Sequence, residues 1–221
     1  EMGCTGLTSA NISLPGTTMR AYCYCGMFQN CTALATGPTV LPATNANVNG
    51  AYYAMFANCQ SLTTAPVICA TTIGASGCNS MFTSCYTLTQ APELGITSLG
   101  QAGCYAMFQG CTALTKVPSV LLPTSIPLYG YERFFNQCHS ISAAPVVCAT
   151  TLTGNAAMRY MFNRCDSLVH APDLNLVTMI ASGTQYMFGC CSALTDGPTT
   201  LPATKLANYC YYGMFSACTS L

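Results

Sequence analysis

The feature that most constrains this chain is a short motif, Phe-x-x-Cys-x-x-Leu with Met before the Phe, which recurs from one end to the other. Met107-Phe108-Gln109-Gly110-Cys111-Thr112-Ala113-Leu114 is a representative copy. Full copies begin at Met27, Met55, Met81, Met107, Phe134, Met161, Met187 and Met214, so the motif returns at a nearly constant interval. An incomplete copy lies at Cys4 and Leu7. A period of this length implies supersecondary units that cannot bury their apolar faces alone and must stack on their neighbours.

Each interval reads alike after the Leu: a Thr-rich step, then Ala-Pro or Gly-Pro, then a short apolar pair, as in Ala65-Pro66-Val67-Ile68-Cys69-Ala70-Thr71-Thr72. Prolines this close together exclude a long helix and favour a short extended segment with a turn. The segment before Met-Phe lacks Pro except around Pro127, and one or two helical turns are expected there. The expected fold is a leucine-rich-repeat-like solenoid, with one short strand and one short helix or 3-10 turn in each 26–28-residue rung. About eight rungs form a single domain over residues 1–221, without capping repeats. At a strand spacing of about 4.8 Å they would make a rod roughly 40 Å long.

A second period lies above the first. Motif cysteines correspond three copies apart, Cys31 with Cys111, Cys59 with Cys138 and Cys85 with Cys165, and Ala65-Pro66-Val67 returns as Ala144-Pro145-Val146. Three rungs therefore make a super-period of about 80 residues, and surface features of the stacked repeats should recur every third rung.

Composition narrows the setting. Only 5% of residues are charged and the charges cancel, so there is no basic footprint for nucleic acid. Solubility falls to Thr, Ser and Asn, and a net charge near zero favours association. Seventeen cysteines point to an oxidising, extracellular or cell-surface location. The chain opens at Glu1 without a signal sequence, and no apolar run reaches the roughly 18 residues of a membrane span, so no membrane insertion is expected.

The Phe-x-x-Cys-x-x-Leu core, followed by a Pro-containing strand segment, resembles the BspA-like leucine-rich repeats of bacterial and protist surface proteins, in the variant where Met precedes Phe. Departures are Phe134 for Met, Ile141 for Leu, and the incomplete first copy. The resemblance implies a leucine-rich-repeat solenoid in a surface or secreted setting. The family's functions, chiefly adhesion and binding to host or neighbouring proteins, do not transfer by fold alone.

Several residue sets are candidates for function. The motif cysteines, Cys4, Cys31, Cys59, Cys85, Cys111, Cys138, Cys165, Cys191 and Cys218, form one column, where identical residues cannot converge on a metal; they read as small buried hydrophobes. Cys78 and Cys104 each lie three residues before the Met of successive rungs, so a vertical disulfide is feasible, with Cys104–Cys111 as its competitor. An odd number of cysteines leaves at least one thiol free or paired between molecules.

Twelve of the thirteen tyrosines lie shortly before the Met-Phe pair. Among them Tyr22, Tyr24, Tyr52, Tyr53, Tyr209, Tyr211 and Tyr212 are candidates for lateral or glycan contact, unless half of them point inward. His139 and His170 lack a repeated acidic or nucleophilic partner, and the acidic residues are scattered. No enzymatic activity, cofactor or metal is therefore expected. Asn11-Ile12-Ser13 and Asn30-Cys31-Thr32 match the glycosylation sequon, the second with its Asn close to the core.

Both ends are ordinary repeat sequence rather than polar caps. The function expected is therefore an extracellular structural rod that stacks end to end into a fibre, a heterologous head-to-tail assembly that does not close on itself, or that forms the shaft of a surface protein. Cys4, Leu7, Met214, Phe215, Cys218 and Leu221 would make the axial contact. The alternative is an adhesin-like ectodomain that recognises a host protein or glycan through a solenoid face.

Overall fold

The computed structural model describes residues 3–221; Glu1, on which the expectation about a leader rests, lies outside them. Regular structure in this span consists of nine two-residue strands, and no helix forms among the described residues. In chain order the strands are β1 (Val40–Leu41), β2 (Asn45–Ala46), β3 (Val67–Ile68), β4 (Thr72–Ile73), β5 (Ser98–Leu99), β6 (Val120–Leu121), β7 (Ser125–Ile126), β8 (Val146–Val147) and β9 (Thr151–Leu152). They pair into four separate parallel sheets, β1-β3, β2-β4-β5, β6-β8 and β7-β9.

Every pairing joins residues one sequence repeat apart, as in Val40 with Val67, Asn45 with Thr72, and Ile126 with Leu152. Proline keeps the strands short. Pro66 and Pro145 immediately precede β3 and β8, and Pro42 immediately follows β1, so the ladder loses donors at its edges. Alternation then divides each strand between solvent and core. Val40 is 41% exposed and Leu41 fully buried; Val67 and Ile68 repeat the contrast.

The helical turns expected before the Met-Phe pair do not form, and the backbone shows why. In each repeat three residues four apart adopt a left-handed conformation: Tyr22, Gly26 and Asn30 in one, Ala102, Ala106 and Gly110 in another, Tyr129, Arg133 and Gln137 in the next. A left-handed residue every fourth position is incompatible with an α-helix. Instead the N–H groups alternate in direction. Cys23, Cys25, Met27, Gln29 and Cys31 each donate to the carbonyl three residues earlier, closing overlapping turns. The intervening Tyr22, Tyr24, Gly26, Phe28 and Asn30 donate to the carbonyls of Asn49, Ala51, Tyr53, Met55 and Ala57 in the following repeat. Turn ribbons cross-linked in parallel thus occupy the place where helices were expected.

The same geometry explains the motif. The Cys N–H bonds the Phe carbonyl and the Leu N–H bonds the Cys carbonyl, for example Cys111 to Phe108 at 3.1 Å and Leu114 to Cys111 at 3.1 Å. The three-residue spacings of Phe-x-x-Cys-x-x-Leu are therefore those of two consecutive turns. The side chains so placed form the core. Phe28, Phe56, Phe82 and Phe108 stack with ring centroids 5.3–5.4 Å apart, and Phe135, Phe162, Phe188 and Phe215 continue the column at 5.6–5.7 Å. Phe134, standing where the other copies have Met, meets both Phe108 and Phe135 edge-on.

These observations correct the expected fold. Four small sheets joined by turn ribbons are not the strand-and-helix rungs of a leucine-rich-repeat solenoid, and they do not merge into one continuous curved face. The end-to-end fibre, the shaft and the adhesin-like alternative all required such a face. The corresponding partners, further copies of the chain and glycans or surface proteins, lose their basis with it. No helix among the described residues is long and apolar enough to cross a membrane.

Candidate functional site: the thiol columns and paired side chains

The motif cysteines are buried through most of the structure, as small apolar residues would be, but they also donate hydrogen bonds. The Cys59 thiol donates to the Phe28 carbonyl at 3.1 Å, Cys85 to Phe56 at 3.2 Å and Cys111 to Phe82 at 3.1 Å. Cys138, Cys165, Cys191 and Cys218 bond Phe108, Phe135, Phe162 and Phe188 in the same way at 3.0–3.2 Å. Each of these Phe carbonyls already accepts the N–H of the Cys in its own repeat. The thiol fills its second lone pair from the next repeat, which an alanine or valine could not do.

Burial pushes the thiols of Cys59, Cys111 and Cys191 up to about 12, and those of Cys85, Cys138 and Cys165 well above the ordinary range. They stay protonated at neutral pH, and a protonated buried thiol is neither a nucleophile nor a metal ligand. Among the described residues no group of three or more His, Cys, Asp or Glu side chains is arranged to hold a metal ion.

The incomplete first copy's Cys4 and the eight cysteines outside the motif divide by exposure. Cys4, Cys23 and Cys25 are exposed, Cys69, Cys148 and Cys190 half-buried, and Cys78, Cys104 and Cys210 buried. All are free thiols in this structure. Cys78 and Cys104 are brought into register on adjacent repeats, the Cys78 N–H donating to the Gly103 carbonyl at 2.7 Å, and both are buried.

The candidate axial residues do not share one environment. Cys4 and Leu221 are exposed, Leu7, Phe215 and Cys218 half-buried, and Met214 buried. The tyrosines split similarly. Tyr22, Tyr53, Tyr209 and Tyr212 are exposed, Tyr24 and Tyr211 are half-buried, and Tyr52 is fully buried with its ring stacked on Tyr24 at 6.0 Å. Tyr52 is therefore removed from any surface contact, and its hydroxyl finds no hydrogen-bond partner among the described residues.

Partners that sequence inspection missed appear one repeat away. His139 Nδ1 lies 2.6 Å from Asp166 Oδ2, and His170 Nδ1 lies 2.7 Å from Asp196 Oδ2. The sequence separations, 27 and 26 residues, are the repeat period itself, so stacking the copies in register would have disclosed both pairs. Glu132, 2% exposed, is held by Arg159 through Nε at 3.0 Å and Nη2 at 2.7 Å. Both Arg133 and Arg159 lie over the Tyr160 ring, 5.3 and 5.7 Å from its centroid.

Glu93 accepts from the Ser119 N–H and hydroxyl, and Asp173, its counterpart three repeats on, accepts from the Thr199 N–H and hydroxyl. These bonds hold the Asp173 carboxyl below the usual range, and Thr195 and His170 do the same for Asp196. The three-repeat block thus duplicates a polar contact as well as sequence. The adjoining grooves duplicate too. One of about 380 Å³ is lined by Ala65, Val67, Pro92 and Glu93, and one of about 450 Å³ by Ala144, Val146, Pro172 and Asp173.

No protein-family model matches the chain, and no curated protein matches it. Two solved structures are similar over 99% of this chain, each at 15% identity. One is a leucine-rich repeat protein from Bacteroides ovatus, with a TM-score of 0.41 and 66% of its own length covered. The other is a leucine rich cell surface protein from Faecalibacterium prausnitzii, with a TM-score of 0.29 and 73% covered. Likeness this weak does not carry the BspA-like assignment, and the absence of helix and of a continuous curved sheet among the described residues contradicts it.

Proposed function

We propose that the chain is a non-enzymatic scaffold domain, suited to an extracellular or cell-surface setting, whose contribution is its cross-linked frame rather than a reactive centre. One observation carries this: most of the motif thiols, both histidines and the carboxylates described above are engaged in bonds between repeats. Seven motif thiols are tied to Phe carbonyls, both histidines to aspartates, and Glu93, Glu132 and Asp173 to side chains one repeat away. An active site needs convergent groups with pKa values tuned towards neutrality. Here burial drives the thiols the other way. The extracellular setting is supported by the cysteine content.

The test is reactivity profiling of the native protein with a haloacetamide probe for thiols and a fluorophosphonate probe for activated hydroxyls. Labelling is expected at Cys4, Cys23 and Cys25, at the pace of an ordinary free thiol, with none on Ser or Thr. A single residue labelled far faster than the rest would overturn the non-enzymatic reading. Recovery of its peptides by brief protease treatment of intact producing cells would support the location, and recovery only after lysis would count against it.

A further inference from the structure

Cys78 and Cys104 donate to no Phe carbonyl, unlike the seven motif cysteines from Cys59 to Cys218. The motif thiols from Cys59 onward point at Phe carbonyls and cannot turn towards one another without leaving those acceptors. Cys78 and Cys104 occupy matching positions on two adjacent repeats, both fully buried. The backbone fixes this register. Ser76, Cys78 and Ser80 donate to the carbonyls of Gln101, Gly103 and Tyr105 at 2.8, 2.7 and 2.8 Å, so Cys104 lies between two bonded carbonyls directly opposite Cys78. Parallel neighbours joined this way stand about 4.8 Å apart, inside the Cα separation of roughly 4.4–6.8 Å that a disulfide spans. Tyr52 and Tyr131 occupy the equivalent positions in the flanking repeats and are themselves buried, so solvent does not reach the pair from above or below.

We propose that Cys78 and Cys104 are a redox pair that closes into a disulfide during folding in the presence of a small-molecule disulfide oxidant. The thiolate of one cysteine attacks the oxidant's S–S bond, forming a mixed disulfide and releasing one thiol. The second cysteine, having lost its proton to solvent, attacks the protein-side sulfur of that mixed disulfide and releases the second thiol. Two electrons and two protons pass in all from the cysteines to the oxidant, which ends as two thiols.

Burial sets the order of events. In the finished fold, the neighbouring Cys78 and exclusion from water hold the Cys104 thiol well above its ordinary range, and both cysteines are closed off from dissolved oxidants and reductants. Closure belongs to the stage at which these two repeats have met in register but the flanking repeats have not yet covered them, and the finished bond is then shielded from reductants. The ring closed spans a single repeat and ties the third full copy of the motif to the fourth.

The test is to refold the full chain once in a glutathione redox buffer and once under reductant. Remaining thiols are then alkylated in denaturant, and each product is digested with chymotrypsin for mass spectrometry. A cross-linked Cys78–Cys104 peptide is expected only from the oxidised sample. The oxidised protein should melt roughly 6–12 °C higher, and reductant should reverse this only when denaturant is also present. Cys78→Ser and Cys104→Ser should each remove the difference, with the double variant adding nothing. Seventeen alkylated cysteines after oxidative refolding, or a cross-link elsewhere, would overturn the proposal. Because mapping uses the wild-type chain, the answer does not depend on the variants folding.

Discussion

Cys111 shows how one residue type can satisfy two demands that otherwise conflict. It is small and fully buried, yet it supplies a proton to a carbonyl that has spent only one lone pair. Cys111→Ser keeps the donor and loses apolar volume, whereas Cys111→Val keeps apolar character, loses the donor and adds bulk to a column with no slack. Chemical denaturation should show Ser costing about 1 kcal/mol and Val about 2–3 kcal/mol; equal costs would mean that the thiol bond contributes nothing. The column also sets an alkaline limit. In the unfolded chain these thiols titrate near 9, and in the fold Cys59, Cys111 and Cys191 are raised to about 12. An acid whose folded pKa is raised holds its proton in the fold where the unfolded chain has released it, so stability is complete below 9 and falls as pH rises from there through 12. Denaturant midpoints should be level from pH 7 to 8.5 and then decline, more steeply than one thiol allows, and a midpoint unchanged at pH 10.5 would contradict the burial of the column.

At the scale of the element, the turn ribbon has unusual backbone needs. The described residues include 24 with positive φ, the sum of 20 that are not glycine and four that are. A non-glycine side chain there costs on the order of 1 kcal/mol, and the left-handed residues of all but the last repeat offset it by donating to the next. Ala102, φ 51° and partly exposed, tests this cleanly. Ala102→Gly should be neutral or stabilising by up to about 1 kcal/mol, while Ala102→Val should cost about 2 kcal/mol or more. Thermal melts of the two variants should move apart in those directions. This ribbon is also where the sequence is least readable. The period, the Phe, Cys and Leu columns and the three-repeat block follow from spacing alone, and the core lies where those columns put it. The left-handed positions carry Tyr, Asn, Ala, Ser, Arg, Gln and Cys, so no glycine marks most of them, and an unbroken Pro-free segment reads as helix. The pairs His139–Asp166 and His170–Asp196 were hidden differently, since they emerge only when partners are sought at the repeat offset rather than nearby in the chain.

For the whole molecule, the scarcity of charge and the abundance of hydroxyls are two sides of one arrangement. Thr63, Thr71, Thr97, Thr115, Thr150 and Thr195 each donate a side-chain hydroxyl to a carbonyl of the preceding repeat, sewing the repeats together where ionic surfaces would use salt bridges. The ionic contacts among the described residues are few. His139–Asp166 and His170–Asp196 sit at the surface, where solvent screens such pairs and they contribute little, and only Glu132 is buried, with Arg159 bonded and Arg133 nearby. Stability therefore rests on apolar burial and neutral hydrogen bonds, which salt screening does not touch. Raising sodium chloride from about 0.05 to about 0.5 M shortens the screening length about threefold, yet the melting temperature should move by less than about 2 °C. Sodium sulfate at matched ionic strength should raise it visibly, because sulfate is excluded from the surface and favours burial. A fall of several degrees in sodium chloride alone would mean that the Glu132 cluster carries far more of the fold than its single buried carboxylate suggests, and Glu132→Gln would then abolish the salt dependence.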